Sequence, residues 1–470
     1  MTGLASASPQ QSAAHGLAFS RYGADRLFLI FAGLAGLILV ALIPPVAGGN
    51  ERFNFQRVAG IAAGHPLIEA AQVPAGVVKL LEASHRQFPQ GRSPPYDYSR
   101  AEFGELAQIP LEAERPATLA PNPIAILNPL GYVPQVLAYW AGAAFGASPL
   151  TLFYLGRVAG LLTGLSLTFA AIRAMPQRGV GLAAIALLPP IVFARATLDA
   201  DQVTNGLTFL FVALVLKAAS GATPMTTGRL AALAAIGFCE AQCKTAYFVL
   251  LPLALAIPPQ RYGSRVRWLL GGFIIIAPGL AASLAWMLSL KHGYFAGMSY
   301  HTWAGDVNPD AQTAAILADP LGFLGVLLRT VFATPFLGVT LIGLIGVFGP
   351  PVMLPLALMV LTLLALVLAL AAEGAPDRPP RWFRALSVLA FFAGAGLILT
   401  LLYVQWTGVG APTVLGFSGR YLFPLLPALL TLLPRTPIRL LGVGPNAWFA
   451  ALGALSLIGV VLTTYVTYWA

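Results

Sequence analysis

The chain has 470 residues, 58% of them apolar and only 9% charged. A soluble domain carries about 25% charged residues, so this composition excludes an ordinary cytosolic enzyme, a nucleic-acid reader and a disordered chain. The net charge of +10 sits on basic residues scattered between apolar runs, the pattern of loop anchors around membrane spans.

Residues 1–26 are rich in Ser, Ala and Gln and read as a cytoplasmic tail. A helix needs about 20 apolar residues to cross the hydrocarbon. The first such run, Leu27–Ile43, follows Arg21 and Arg26 with no small-x-small cleavage site, and reads as a retained span rather than a signal peptide. Residues 27–470 then form one transmembrane domain. Residues 48–149 are its large first periplasmic loop, with interfacial helices. Within it the apolar segment 124–147 carries Asn128, Pro129, Pro134 and Gln135 and is expected to lie at the interface without crossing. Further spans are expected at 150–172, 178–197, 202–219, 267–290, 351–372, 384–406 and 445–468. Shorter apolar runs lie at 229–242, 245–259 and 420–434. Residues 292–349 form a second periplasmic or interfacial segment. The total is about eleven spans in an all-α polytopic membrane protein.

Lys and Arg in short loops set the sidedness. With the N-terminus inside, Arg173, Arg178, Lys217, Arg229, Arg261, Arg265, Arg267, Arg378, Arg381, Arg384, Arg435 and Arg439 are cytoplasmic. All the acids except Asp25, Glu373 and Asp377 then fall on the outer side or at its edge. Any chemistry is therefore expected on the periplasmic face. No internal repeat supports the inverted-repeat plan of many transporters.

Four places carry candidate chemistry. After Pro44-Pro45 and a Gly-Gly turn come Asn50, Glu51, Arg52 and Arg57. Glu51 at the membrane edge suits a general base, and equally a loop acid paired with arginine. Asp199 and Asp201, two residues apart between spans, suit functional carboxylates at a span end or a divalent-cation ligand pair; the alternative is a turn in which Asp199 caps the next helix. Lys244 lies between two half-length spans and suits a phosphate, or else an i,i+4 pair with Glu240. Arg420 and Tyr421 open another short run and suit a lipid-linked phosphate, or an interfacial anchor. Arg157 lies inside a span and needs a partner. Cys239 and Cys243, without a histidine nearby, read as packing residues rather than zinc ligands. No H-E-x-x-H, P-loop or nucleotide-binding glycine fingerprint occurs, which leaves a nucleotide sugar or ATP unsupported as direct substrate.

The stretch Pro44-Pro45, Asn50-Glu51, Phe55 and Arg57 resembles the first outer loop of the GT-C superfamily, polytopic glycosyltransferases that use polyprenyl-phosphate-linked sugars. It is most similar to an uncharacterised bacterial branch whose members show Pro-Asp-Glu-x-x-His-Phe-x-Arg. Tyr132-Val133-Pro134, Gly156-Arg157, Asp201, Lys244 with Tyr247, and Gly419-Arg420-Tyr421 with Pro424 continue the resemblance. This chain has Asn50 where the branch has Asp, and Asn54 where it has His. An amide accepts no proton at that place, so the role passes to Glu51, with Asp201 next.

The resemblance implies a bacterial inner-membrane enzyme with a periplasmic active site. It would move a sugar from a polyprenyl phosphate to a glycan, glycolipid or protein acceptor, without nucleic acid. Arg57 would orient Glu51. Arg420 with Tyr421 and Lys244 with Tyr247 would hold the donor, and Tyr300, His301 and Trp303 would cover the acceptor. A divalent cation is the one cofactor the acidic pair admits. The alternatives are a non-enzymatic subunit of polysaccharide assembly and a transporter of lipid-linked glycan.

Overall fold

The computed structural model describes residues 23–470 apart from 68–69, 88–95, 120–122, 176–178, 293–299, 303–304, 350–351, 375–378, 435 and 439. Arg21, Arg178, Trp303, Asp377, Arg378, Arg435 and Arg439 lie outside the described residues, as do the side chains of Tyr300 and His301.

The described chain is mostly helical. Helix α1 (Ala24–Leu42) leads into α2 (Glu51–Ala62), α3 (Ala75–Gln87), α4 (Arg100–Ala107) and α5 (Val133–Ala144). Among these, β1 (Ala71–Pro74) pairs antiparallel with β2 (Pro116–Leu119), Ala71 opposite Leu119. Then follow α6 (Pro149–Ala174), α7 (Gly179–Ala186), α8 (Pro189–Ala196), α9 (Asp201–Ser220), α10 (Thr227–Cys243), a 3-10 helix over Thr245–Ala256, the single turn α11 (Pro259–Tyr262) and α12 (Arg265–His292). The segment after α12 holds the hairpin β3 (Tyr300–Thr302) and β4 (Gly305–Val307), followed by α13 (Pro309–Ala318), α14 (Pro320–Phe332) and α15 (Thr334–Ile345). A small pair, β5 (Val347–Gly349) and β6 (Val352–Met353), precedes α16 (Leu356–Glu373) and α17 (Arg381–Gln405). A 3-10 helix over Gly419–Leu425, the turn α18 (Leu426–Leu429) and α19 (Pro445–Trp469) complete the chain.

Among the described residues seven helices are long and apolar enough to cross a membrane, and nine if each bent pair counts as one span. About eleven were expected from run length alone. The three shorter runs, 229–242, 245–259 and 420–434, give helices of fewer than 18 residues, and proline breaks one of the longer ones. Pro189 and Pro190 split the expected span 178–197 into α7 and α8, which meet at 63°. Proline removes an N–H and fixes φ, which suits a first helical turn and breaks a continuous one. Helices α13 and α14 bend by 108° at Asp319-Pro320, where the Asp319 carboxylate accepts the Gly322 N–H at 2.8 Å. Helix α10 stops because Lys244 is extended (φ −144°, ψ 120°), and the next twelve residues wind as a tighter 3-10 helix. In 124–147 the only α-helix, α5, has 12 residues, too few to cross. It is one-sided: Gln135, Val136 and Tyr139 are buried while Val133, Leu137 and Trp140 are exposed.

Two apolar cores organise the fold. The larger lies inside the helix bundle. The smaller joins the segment between α1 and α6 to the bundle through Phe55, Val58, Tyr132, Tyr139 and Phe153. Outward-facing Phe273, Leu288 and Phe392 form the apolar rim that a bilayer covers. Two polar ties brace the ends of the bundle. The Glu373 carboxylate, at the end of α16, accepts the Val180 and Gly181 N–H groups at the start of α7 at 2.8 and 2.7 Å. At the far end of α19, the Tyr468 hydroxyl donates to the Ala47 carbonyl, and the Tyr96 and Tyr98 N–H groups donate to Thr467 and Tyr468.

Candidate functional site

The site grows from the turn after α1. Pro44 and Pro45 end that helix, and Gly49 takes a left-handed φ of +52°. Gly48 has no room for a side chain: a Cβ there would lie 2.6 Å from Thr197 and 2.8 Å from Glu51 Oε2. This close approach lets the Gly48 N–H donate to Glu51 Oε2 at 2.9 Å.

Glu51 is 1% exposed and is consumed by a buried knot. Its Oε1 accepts Arg157 Nε and the Leu198 N–H, both at 2.7 Å. Its Oε2 also accepts Arg157 Nη2 at 2.6 Å. Arg157 is fully buried, and its remaining donors reach the carbonyls of Val40, Ile43 and Pro44 at 2.7–3.0 Å. All five N–H groups of a guanidinium are thus used. Such saturation is what lets a buried ion pair offset its desolvation cost. The partner that Arg157 needs is therefore Glu51. Arg57 does not orient Glu51; it donates to the carbonyls of Pro66, Leu67 and Leu127. Each has a physical reason: among the described residues Glu51 is the one carboxylate bonded to Arg157, whereas the Arg57 Nη groups are held by three carbonyls.

The Leu198 N–H held by Glu51 immediately precedes the acidic pair. Asp199 Oδ1 accepts the Asp201 N–H at 3.1 Å, an Asx-type turn that starts α9. Lys244 forms an ion pair with Asp201. The extended backbone at Lys244 swings its side chain away from Glu240, so no i,i+4 pair forms. Glu240 is instead fully buried, and neither of its carboxyl oxygens has a hydrogen-bond partner among the described residues.

Asp199, Asp201, Lys244 and Arg420 meet at one cavity of about 250 Å³. Asn50 and Asn54 line it too; Asn54 donates to the Asn50 carbonyl and accepts the Tyr132 hydroxyl at 2.6 Å. The opposite wall is apolar, with Met287 and Leu290 from α12 and Ile398, Leu401 and Leu402 from α17. The Tyr247 hydroxyl donates to the Tyr421 carbonyl at 2.9 Å, which joins the Lys244 side of the cavity to the Arg420 side. The Arg420 guanidinium stacks on the Tyr421 ring and has no carboxylate bound to it among the described residues. Burial, and then the neighbouring Asp201 carboxylate, push the Asp199 carboxyl up to about 6, against the pull of Lys244 and Arg420. No third His, Cys, Asp or Glu joins the acidic pair as a metal ligand among the described residues.

Of the candidates read from the sequence, Asn50, Asp199, Asp201, Lys244, Tyr247, Arg420 and Tyr421 line this cavity. Glu51 and Arg157 lie behind its wall, tied to it through Leu198. The sequence reading missed the two backbone donors that fix Glu51 at Gly48 and Leu198, and a backbone amide leaves no trace in residue type. It also missed the apolar wall, whose residues read only as span.

Residues 32–429 match the family described as "Predicted membrane protein (DUF2142)". The chain belongs to this family. The DUF2142 match runs from α1 through α18 and takes in every residue of the cavity. It agrees with the expected uncharacterised membrane branch. No curated protein and no solved structure matches the chain.

Proposed function

We propose that this DUF2142 protein is a glycosyltransferase of GT-C type in the bacterial inner membrane. It takes a sugar from a polyprenyl phosphate and passes it to a glycan, glycolipid or protein on the periplasmic side. One observation carries the reading: two carboxylates and two cations line a cavity that apolar helices also line. A charged head on a long hydrocarbon chain matches both halves.

In this reading Arg420 and Lys244 bind the donor phosphate, Arg420 by its planar fork and Lys244 as a point charge. An acceptor hydroxyl attacks the anomeric carbon in line. The carbon–oxygen bond to phosphate breaks, the lipid phosphate leaves with the electron pair, and the two cations stabilise the charge that grows on it. The hydroxyl proton passes to a carboxylate. Glu51 was the expected acceptor, but both its oxygens are occupied and buried. The proposal therefore gives the base role to Asp199, with Asp201 holding Lys244 in place. If a divalent cation binds, the oxygens of Asp199 and Asp201 are the ligands on offer.

Asn50 in the cavity lining favours a second reading, a carrier or assembly subunit without bond cleavage. Incubating the purified protein with polyprenyl-phosphate sugars separates the two. The enzyme reading expects lipid phosphate to be released and Asp199→Asn to slow release by about 100-fold or more. Turnover unchanged in both Asp199→Asn and Asp201→Asn would sink this assignment of the base. Flux through proteoliposomes with no cleavage would favour the carrier.

A further inference from the structure

The site cavity has a neighbour built on the same three walls. A second cavity, also about 250 Å³, is lined only by apolar residues. Val249 and Pro252 come from the 3-10 helix that begins beside Lys244, Ile276 and Leu280 from α12, and Leu386 and Ala390 from α17. The site cavity meets the same 3-10 helix at Ala246 and Tyr247, α12 at Met287, and α17 at Leu401.

Helical spacing puts both cavities on one side of each wall. Ile276, Leu280 and Met287 recur at i, i+4 and i+11 along α12, a single face. Leu386, Ala390 and Leu401 do the same along α17 at i, i+4 and i+15. At 1.5 Å per residue, Leu280 and Met287 stand about 10 Å apart along the axis. Between the cavities α17 carries Gly394, where a Cβ would lie 2.7 Å from Leu425 and 3.1 Å from Val249. Here α17 packs directly against both residues, and a larger residue would force them apart.

We propose that the second cavity is the inner chamber of the same site and seats the far part of a long single-chain lipid phosphate, so that the protein selects its lipid by chain length. The inference rests on the lipid-phosphate reading above. The occupant follows from the shared walls: cations line the first cavity, and no polar side chain lines the second. A short chain ends in the outer cavity. A long one extends past Gly394 and gains contact with Val249, Leu280 and Ala390.

The test measures binding, without turnover, on the full chain in detergent. The probes are undecaprenyl phosphate, with a long chain, and farnesyl phosphate, with a short one. Wild type is expected to bind the long chain about ten-fold more tightly or better, a difference of about 1.4 kcal/mol. Ala390→Phe and Ala393→Phe fill the inner chamber from a buried and an exposed position. Each is expected to weaken undecaprenyl phosphate by about ten-fold and to leave farnesyl phosphate within about two-fold, and that retained binding shows the fold intact. Equal wild-type affinities, or variants that weaken both lipids alike or neither, would overturn the chamber. Binding of neither lipid would overturn the lipid-phosphate reading itself. Intact chain-length selection without sugar transfer would overturn only the transfer reading.

Discussion

Glu51 and Arg157 show how a carboxylate in a catalytic-looking position serves as structure. Removing one partner of a saturated buried pair leaves the other charge stranded. Glu51→Gln is expected to cost about 3–5 kcal/mol of stability, and the double variant Glu51→Gln with Arg157→Met to recover most of it. Thermal unfolding of the purified protein reads this directly; a Glu51→Gln variant that melts with wild type would contradict the knot. Asp199 is the opposite case, a carboxylate placed for titration. Its carboxyl is pushed up to about 6, and a base works only when ionised. Turnover is therefore expected to fall about ten-fold per pH unit below 6 and to level off above it. In Asp201→Asn the neighbouring negative charge is gone, the Asp199 carboxyl ionises more easily, and the acid limb moves to lower pH. An acid limb that stays put would remove Asp199 from the base role. Little of this was legible at the residue scale. Arg157 announced a need for a partner by lying inside a span, yet Glu51 is 106 positions away in sequence and two of the carboxylate's donors are backbone amides.

At the scale of elements, the unbroken spans were legible because a long apolar run has one economical use in a membrane. Leu27–Ile43 and 150–172 became α1 and α6 almost residue for residue. The interrupted segments were not, because Pro189-Pro190, Asp319-Pro320 and the extended Lys244 turn apolar runs into bent or half-length pieces. Those interruptions matter most to the site, since the break at Lys244 aims its side chain into the cavity. The tie between α16 and α7 gives a further prediction. Glu373→Ala leaves the Val180 and Gly181 N–H groups without their acceptor, a cost of about 1–3 kcal/mol. Hydrogen exchange is expected to quicken in Gly179–Ala186 while α9 stays protected. Unchanged exchange in α7 would show that the carboxylate does not hold it.

Across the whole molecule, the last turn of α19 clasps the segment between α1 and α6 through Tyr468, Ala47, Tyr96 and Tyr98. Tyr468→Ala is expected to speed limited proteolysis within residues 48–123 relative to wild type, whereas equal rates would mean the clasp is dispensable. No sequence pattern marked this contact, which spans 421 positions. Asp201, Lys244 and Arg420 were legible as candidates, because each is a charged residue at the edge of an apolar run; that Glu51 lies apart from them was not. The apolar half of the site was not, since a cavity wall and an ordinary span use the same residues. The most direct test of the account is a cryo-EM structure of the protein with bound polyprenyl phosphate. The account predicts the phosphate within hydrogen-bond reach of Arg420 and Lys244, and the chain lying between α12 and α17. A phosphate bound elsewhere, with this cavity unfilled, would contradict it.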